Sequence, residues 1–469
     1  MTVPPLPAAE LVAAYAAREL SPVDVAEAAL RRIAAGDDEL NAFCLVDPEP
    51  AEAEAEASEA RWARGEPAGP LDGVPVAIKD LLLTRGWPTL RGSTAIDPDG
   101  PWEDDAPVVA ALRRSGAILA GKTTTPELGW KGVTDSRLTG VTRNPWDPSK
   151  TPGGSSGGSA AALAAGMVAL ALGTDGGGSI RIPCAFCGLP GLKATFGRVP
   201  AWPASPFGPV SHVGPMARTV TDLALLLDVI AAPDARDWQQ LPPATRSFAA
   251  GIEDGVAGLR IAFSPGLGHA AVDPEVASLV ARAAHAFAAL GARVEQVDPG
   301  FADPRETFDV LWSTGAARAV AALPTTDGVD PGLAEMAAQG RTHSGLDYLR
   351  ACGERDQLAI AMSRFHEAWD LLLTPAMPIA AFEAGREVPE GSADPRWPGW
   401  TPFTYPFNLT QQPAATVPCG FTEAGLPVGL QIVGPRHADA LVLRAARSYE
   451  RAHPQPTVAP VSQGGTAAS

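Results

Sequence analysis

The chain has 469 residues, 46% of them hydrophobic and 19% charged, which is enough apolar material for a large core. A net charge of −17 argues against a general binder of nucleic acid or of an anionic membrane surface. Five cysteines are too few, and odd in number, for a disulfide scaffold, and the N-terminus lacks the basic-then-apolar pattern of a secretory signal, so a cytoplasmic protein with reduced thiols is expected.

Residues 8–20 and 22–35 read as amphipathic helices, the second opened by Ser21 as N-cap, Pro22 at the first helical position and Asp24 in the first turn. An Ala- and Glu-rich stretch, 51–64, is a third helix, and residues 1–65 are expected to form a helical segment packed on the core. Val74-Pro-Val-Ala-Ile-Lys79 then reads as a short buried strand ending in a lysine, with Asp80 next to it. A lysine in solution holds its proton to about pH 10.4. At a buried strand end it is either half of a salt bridge, with Asp80 as the nearest carboxylate, or a desolvated amine able to act as a base. A helix over 105–115 and a strand over 117–122 continue the alternation of short apolar strands with helices that marks an α/β sheet. Asn144-Pro, Asp147-Pro and Thr151-Pro make 131–158 a loop.

That loop ends in Gly153-Gly-Ser155-Ser156-Gly-Gly-Ser159. The fragment matches G-x-S-x-G, yet the proline-rich residues before it cannot form the central strand that a nucleophile elbow needs. Ser159–Gly166 suits a helix and Met167–Gly173 a buried strand. The apolar run over 160–173 is too short to span a membrane. Gly173-Thr-Asp175-Gly176-Gly177-Gly178-Ser179-Ile-Arg181 follows. Three glycines between a strand and a helix start let successive N–H groups converge on one point beside Ser179, as an oxyanion hole requires. A phosphate cradle would also use such a loop, but neither G-x-x-x-x-G-K-[ST] nor G-x-G-x-x-G is matched. With no histidine near, two loop serines and a strand-end lysine point to Ser-Lys acyl chemistry. Cys184-Ala-Phe-Cys187 lacks the second ligand pair of a zinc site and a redox context, so both cysteines are expected to pack as small apolar residues. No metal and no cofactor are implied.

Residues 199–216 are rich in Pro and Gly and read as loop; 219–231 reads as helix. After an irregular stretch, strand 259–263, helix 274–290 and strand 292–297 form a fresh unit, and 414–419 and 427–433 read as buried strands. These fit one sheet better than a separate lobe, because the last strands need neighbours. Residues 461–469 look like a disordered tail.

From Leu71 to Ala231, and more weakly over 408–433, the chain resembles the amidase signature family, whose paired serines after two glycines and Gly-Thr-Asp-x-Gly-Gly-Ser-Ile-Arg-x-Pro are met here. The resemblance implies an α/β fold with a mixed central sheet covered by helices on both faces, in one catalytic domain over 66–460. It implies Ser179 as acylating nucleophile and Ser155 as bridging serine after a cis peptide bond. Lys79 would be the base, Gly176, Gly177 and Gly178 the oxyanion hole, and Ser156, Asp175 and Arg181 support. Family members hydrolyse amides, carbamates or urea derivatives, or serve as the glutaminase component of a tRNA amidotransferase. N-terminal helices mediate dimers in some relatives, which makes a homodimer the expected assembly if there is one.

Aromatic residues on four segments, 125–130, 202–208, 308–313 and 397–407, suggest a pocket that includes Trp130, Phe207, Trp312 and Trp400. The same aromatics would equally serve as loop anchors. The 397–407 segment is poor in the charges a glutamine site needs. The expected substrate is therefore a small, uncharged, partly apolar or aryl amide, with a carbamate as the rival and a glutaminase role third.

Overall fold

The computed structural model describes residues 3–460; the tail expected over 461–469 lies outside them. Thirteen strands are present among these residues: β1 (Phe43–Leu45), β2 (Pro75–Lys79), β3 (Ile118–Thr123), β4 (Asp135–Ser136), β5 (Gly140–Val141), β6 (Leu170–Asp175), β7 (Gly191–Lys193), β8 (His212–Ala217), β9 (Arg260–Phe263), β10 (Arg293–Gln296), β11 (Leu371–Pro375), β12 (Ala414–Phe421) and β13 (Pro427–Val433). β4 and β5 make a separate ribbon. The other eleven form one mixed sheet in the order β1-β3-β2-β6-β8-β7-β12-β13-β11-β9-β10. The unit that begins at residue 259 therefore extends the same sheet, and β9, β10 and β11 run parallel at its far edge.

The central strands are buried on both faces, so they read as continuous apolar runs rather than alternating ones. Val76 and Ile78 of β2 pair with Leu170 and Leu172 of β6, in parallel. The carboxyl ends of these strands therefore emerge side by side, the position where open α/β sheets hold ligands. Lys79 ends β2, and Thr174 and Asp175 end β6.

Loop expectation fails over part of 199–216, because His212–Ala217 is β8, fully buried and antiparallel to β6, with Asp175 opposite His212. Pro215 and Gly214 disguise it as a loop in the sequence, and the strand is held by its ladder to β6 and by burial. Helices Arg305–Ala321, Pro331–Gly340 and Gly345–Ala368 build a second apolar cluster around Trp130, Phe308, Trp312 and Trp397, apart from the main core behind the sheet.

Candidate active site

Helix Gly157–Ala164 begins at the paired serines. Two glycines are poor helix formers, but at Gly158 a Cβ would lie 2.4 Å from Thr124 Oγ1 and 2.5 Å from the Ala42 carbonyl oxygen. The helix N-terminus thus sits directly against the end of β3, and no side chain fits there. The Gly154–Ser155 peptide just before it is cis. Ser155 and Ser156 are brought over the end of β2, where the Lys79 amine lies 2.7 Å from Ser155 Oγ, 2.9 Å from Ser156 Oγ and 2.8 Å from Thr174 Oγ1.

Lys79 is fully buried. Desolvation holds its amine well below the ordinary lysine range, only partly opposed by the charge of Asp175. A neutral amine has two N–H donors and one lone pair, which matches three hydroxyl neighbours. Ser156 donates its proton to the Thr174 carbonyl at 3.2 Å, so it accepts from Lys79. Ser155 Oγ makes no other hydrogen bond among the described residues, and its proton is free to point at the Lys79 lone pair. The salt bridge to Asp80 does not form: Asp80 pairs with the buried Lys122 at 3.0 Å.

Ser179 lies across the same cleft. Its carbonyl accepts the Ser156 N–H at 3.2 Å, while no hydrogen bond joins the two hydroxyls of Ser155 and Ser179. The glycine run requires a correction. The Gly178 N–H donates to Asp175 Oδ1 at 2.8 Å, because the backbone turns toward the carboxylate at φ 130°, and it has no proton left for an oxyanion. The N–H groups of Gly176, Gly177 and Ser179 donate to nothing among the described residues.

Asp175 and Arg181 form a buried ion pair at 2.9 Å. Arg181 also donates to Thr404 O at 2.9 Å, Gln431 Oε1 at 2.8 Å and Asn408 Oδ1 at 2.6 Å, and Asn408 donates to the Asp175 carboxylate at 2.8 Å. Burial would push the Asp175 carboxyl up, but Arg181, then Lys193 and Asn408, hold it well below the usual carboxylate range. The pair fixes the loop and touches no cleft. Cys184 and Cys187 are fully buried, and desolvation pushes both thiols up. His212 is buried too, and desolvation, then Lys193, push its imidazole well below its ordinary value.

The cleft in front of the serines has a volume of about 460 Å³. Phe207 and Trp312 line it, stacked at 4.0 Å. Trp130 and Trp400 do not. Trp130 is fully buried behind Trp312 and accepts the Trp312 indole N–H on its carbonyl at 3.1 Å; Trp400 stacks on Phe186 at 5.9 Å. No residue of 397–407 lines the cleft, so that segment is an anchor. Missed in the sequence were the third hydroxyl on Lys79, Thr174, and the lining residues Leu81, Arg91, Ile96, Trp102 and Arg318. Thr174 was signalled by its position at the strand end facing Lys79, and Trp102 by being an aromatic set among prolines and acidic residues.

Among the described residues, no group of His, Cys, Asp and Glu is arranged to hold a metal ion, and no helix is long and apolar enough to cross a membrane.

The family model "Amidase" matches residues 24–443. An acylamidase of Rhodococcus erythropolis is 40% identical over 96% of each chain. A glutamyl-tRNA(Gln) amidotransferase component of Myxococcus xanthus (strain DK1622) is 38% identical over 95% of this chain and 96% of its own. Among solved structures, a bacterial aryl acylamidase of the amidase signature family superposes with a TM-score of 0.91, at 31% identity, over 98% of this chain and all of its own. A 6-aminohexanoate cyclic dimer hydrolase superposes with a TM-score of 0.89 at 31% identity, over 97% of this chain and 99% of its own.

Proposed function

Because the chain belongs to the amidase signature family, which makes it a hydrolase of amide C–N bonds, we propose that it cleaves small carboxylic amides with an apolar or aryl body through a Ser179 acyl-enzyme. The observation that carries this reading is a fully buried lysine with no ion-pair partner among the described residues, 2.7 Å from Ser155 and 2.8 Å from Thr174, two hydroxyls that line an apolar cleft together with Ser179.

In this mechanism the neutral Lys79 amine takes the Ser155 proton as Ser155 takes that of Ser179, and Ser179 Oγ bonds to the amide carbon. Such a relay tightens when substrate closes the site, since catalytic hydrogen bonds are often incomplete without it. The negative oxygen of the tetrahedral intermediate accepts from the N–H groups of Gly176, Gly177 and Ser179, each contributing about 3 kcal/mol. The relay hands the proton to the leaving nitrogen, the C–N bond breaks, and water attacks the acyl-enzyme by the same route.

The cleft lining contains no Asp or Glu, so nothing in it answers the α-ammonium of glutamine. That favours a simple amide over the glutaminase role of the amidotransferase relatives. The test is release of ammonia or amine from short aliphatic amides, an aryl acetamide, an aryl carbamate and glutamine, with Ser179→Ala as control. Turnover of apolar amides that disappears in the variant, while the fold is kept, is expected. Turnover of glutamine alone, or activity surviving the substitution, would overturn the proposal.

A further inference from the structure

The cleft in front of the serines carries two charged residues, Arg91 and Arg318, and no carboxylate. Neither guanidinium has an ion-pair or hydrogen-bond partner among the described residues. Arg91 is half-buried, and a guanidinium taken partly out of water is costly unless something supplies acceptors. Burial pulls its pKa down and Asp80 opposes this, but a guanidinium stays charged across the neutral range.

The backbone around Arg91 is held in place. It stands at φ 56°, in the left-handed region that side chains with a Cβ avoid. Its N–H donates to Asp80 Oδ2 at 2.7 Å, and its carbonyl accepts the N–H of Leu128 at 2.7 Å. Leu128 is itself left-handed, at φ 53°, and lines the cleft. The next residue, Gly129, packs so close that a Cβ there would lie 3.3 Å from Ser155 Oγ. Arg91 is thus fastened by one hydrogen bond to the Leu128–Gly129 backbone that packs against Ser155. The other oxygen of Asp80 is taken by Lys122, so Asp80 fixes the Arg91 backbone without contacting its guanidinium. Strained residues persist where the surroundings over-determine them, and they cluster at ligand sites. Arg318 is exposed on helix Arg305–Ala321. It lies six residues beyond Trp312, about 9 Å along the axis at roughly 1.5 Å per residue, and because it lines the cleft while exposed to solvent it stands at the mouth.

We propose that Arg91, assisted by Arg318 at the rim, binds a carboxylate or similar anionic substituent carried by the substrate away from the scissile amide. The inference rests on the amide-hydrolase reading and narrows it. The apolar body lies against Phe207, Trp312 and Leu128, and the expectation of an uncharged substrate gives way to one charged at its far end.

Matched anilides test this: one pair with and without a carboxylate at the end of the acyl chain, another with and without a carboxylate on the aryl ring. At least one charged member should exceed its neutral partner about tenfold or more in kcat/KM, through KM, and lose that advantage as salt is added. Arg91→Met should bring the ratio to within about twofold, and Arg91→Lys should keep part of it. Methionine suffers the same left-handed strain as arginine, so the two proteins should melt alike, and melting curves check this. The pair that responds tells whether the anion sits on the acyl or the amine side. Equal rates for charged and neutral members in the unaltered protein, or a ratio that survives Arg91→Met, would overturn the proposal. If no anilide is hydrolysed, the amide reading fails by itself, and calorimetric binding of the same compounds to Ser179→Ala decides this one. Tighter binding of a charged member, lost on adding Arg91→Met, sustains it, and equal binding overturns it.

Discussion

Replacing Lys79 by methionine isolates the one ionisation on which the relay depends, since the side chain keeps nearly its length and loses its amine. In the native protein, desolvation holds that amine well below 10.5; in the unfolded chain it binds a proton to about pH 10.4. Between these limits the unfolded state carries one proton that the native state does not. Unfolding free energy therefore rises with pH by about 1.4 kcal/mol per unit for this group. Below the native pKa both states hold the proton and the slope vanishes; above 10.5 neither holds it. All other titrating groups are common to the two proteins and cancel to first order in the difference. Urea unfolding at steps from about pH 6.5 to about pH 9.5 should show the stability of the unaltered protein gaining on that of Lys79→Met by about 1.4 kcal/mol per unit wherever the native amine is neutral. Over the pH range in which the native amine loses its proton, kcat/KM for a neutral amide should climb and then level off, and the rise should coincide with the onset of the stability slope. A stability difference that stays flat across the range would mean that Lys79 keeps its proton in the folded protein, and a lysine base would be refuted with it.

Two substitutions probe the scaffold. Arg181→Met leaves the fully buried Asp175 without its partner and should cost about 3–5 kcal/mol, read as a lowered Tm; a loss under about 1 kcal/mol would show that the pair does not brace the loop. Trp312→Ala removes a ring stacked on Phe207 at 4.0 Å and on Phe308 at 5.3 Å. It should cost about 3–5 kcal/mol and shift preference toward bulkier amides in the same anilide assay, and an unchanged substrate order would place Trp312 outside the binding wall.

What was legible in the sequence, and what was not, follows from the physics of each signal. Strands β2, β9 and β13 could be read because a run of β-branched and other apolar residues fits no other state at that length, and helix Pro274–Ala289 carries its cap and its period openly. β8 was hidden because Pro215 and Gly214 signal a turn locally, while the strand is held by neighbours distant in sequence. β7, Gly191–Lys193 after Pro190, follows the same rule, whereas β11 is a plain apolar run, Leu371-Leu372-Leu373, missed in the sequence. The glycine run was legible as a converging turn, but not which N–H groups remain free in it: that depends on where the Asp175 carboxylate swings, and it claims Gly178. Aromatic loops showed that something packs there. Whether each ring faces the cleft or the core depends on the helices after residue 305, whose weak periodicity concealed them.

The pairing of Lys79 with Asp80 is the instructive case, because adjacency in the chain made it the competing reading to a desolvated base. Successive residues along a strand point to opposite faces, so a lysine at the end of β2 and the carboxylate that follows it diverge. In β3, Ile78 of β2 faces Lys122 and Lys79 faces Thr123. Asp80 consequently meets Lys122 at 3.0 Å, and Lys79 meets hydroxyls. Two buried lysines, one strand apart, thus meet opposite surroundings. Lys122 has a carboxylate to neutralise it, and Lys79 is left among groups that solvate an amine but cannot compensate a full charge. The same carboxylate holds the Arg91 backbone through its second oxygen. One aspartate thereby turns its counter-charge away from the base and fixes the cation proposed to greet the substrate.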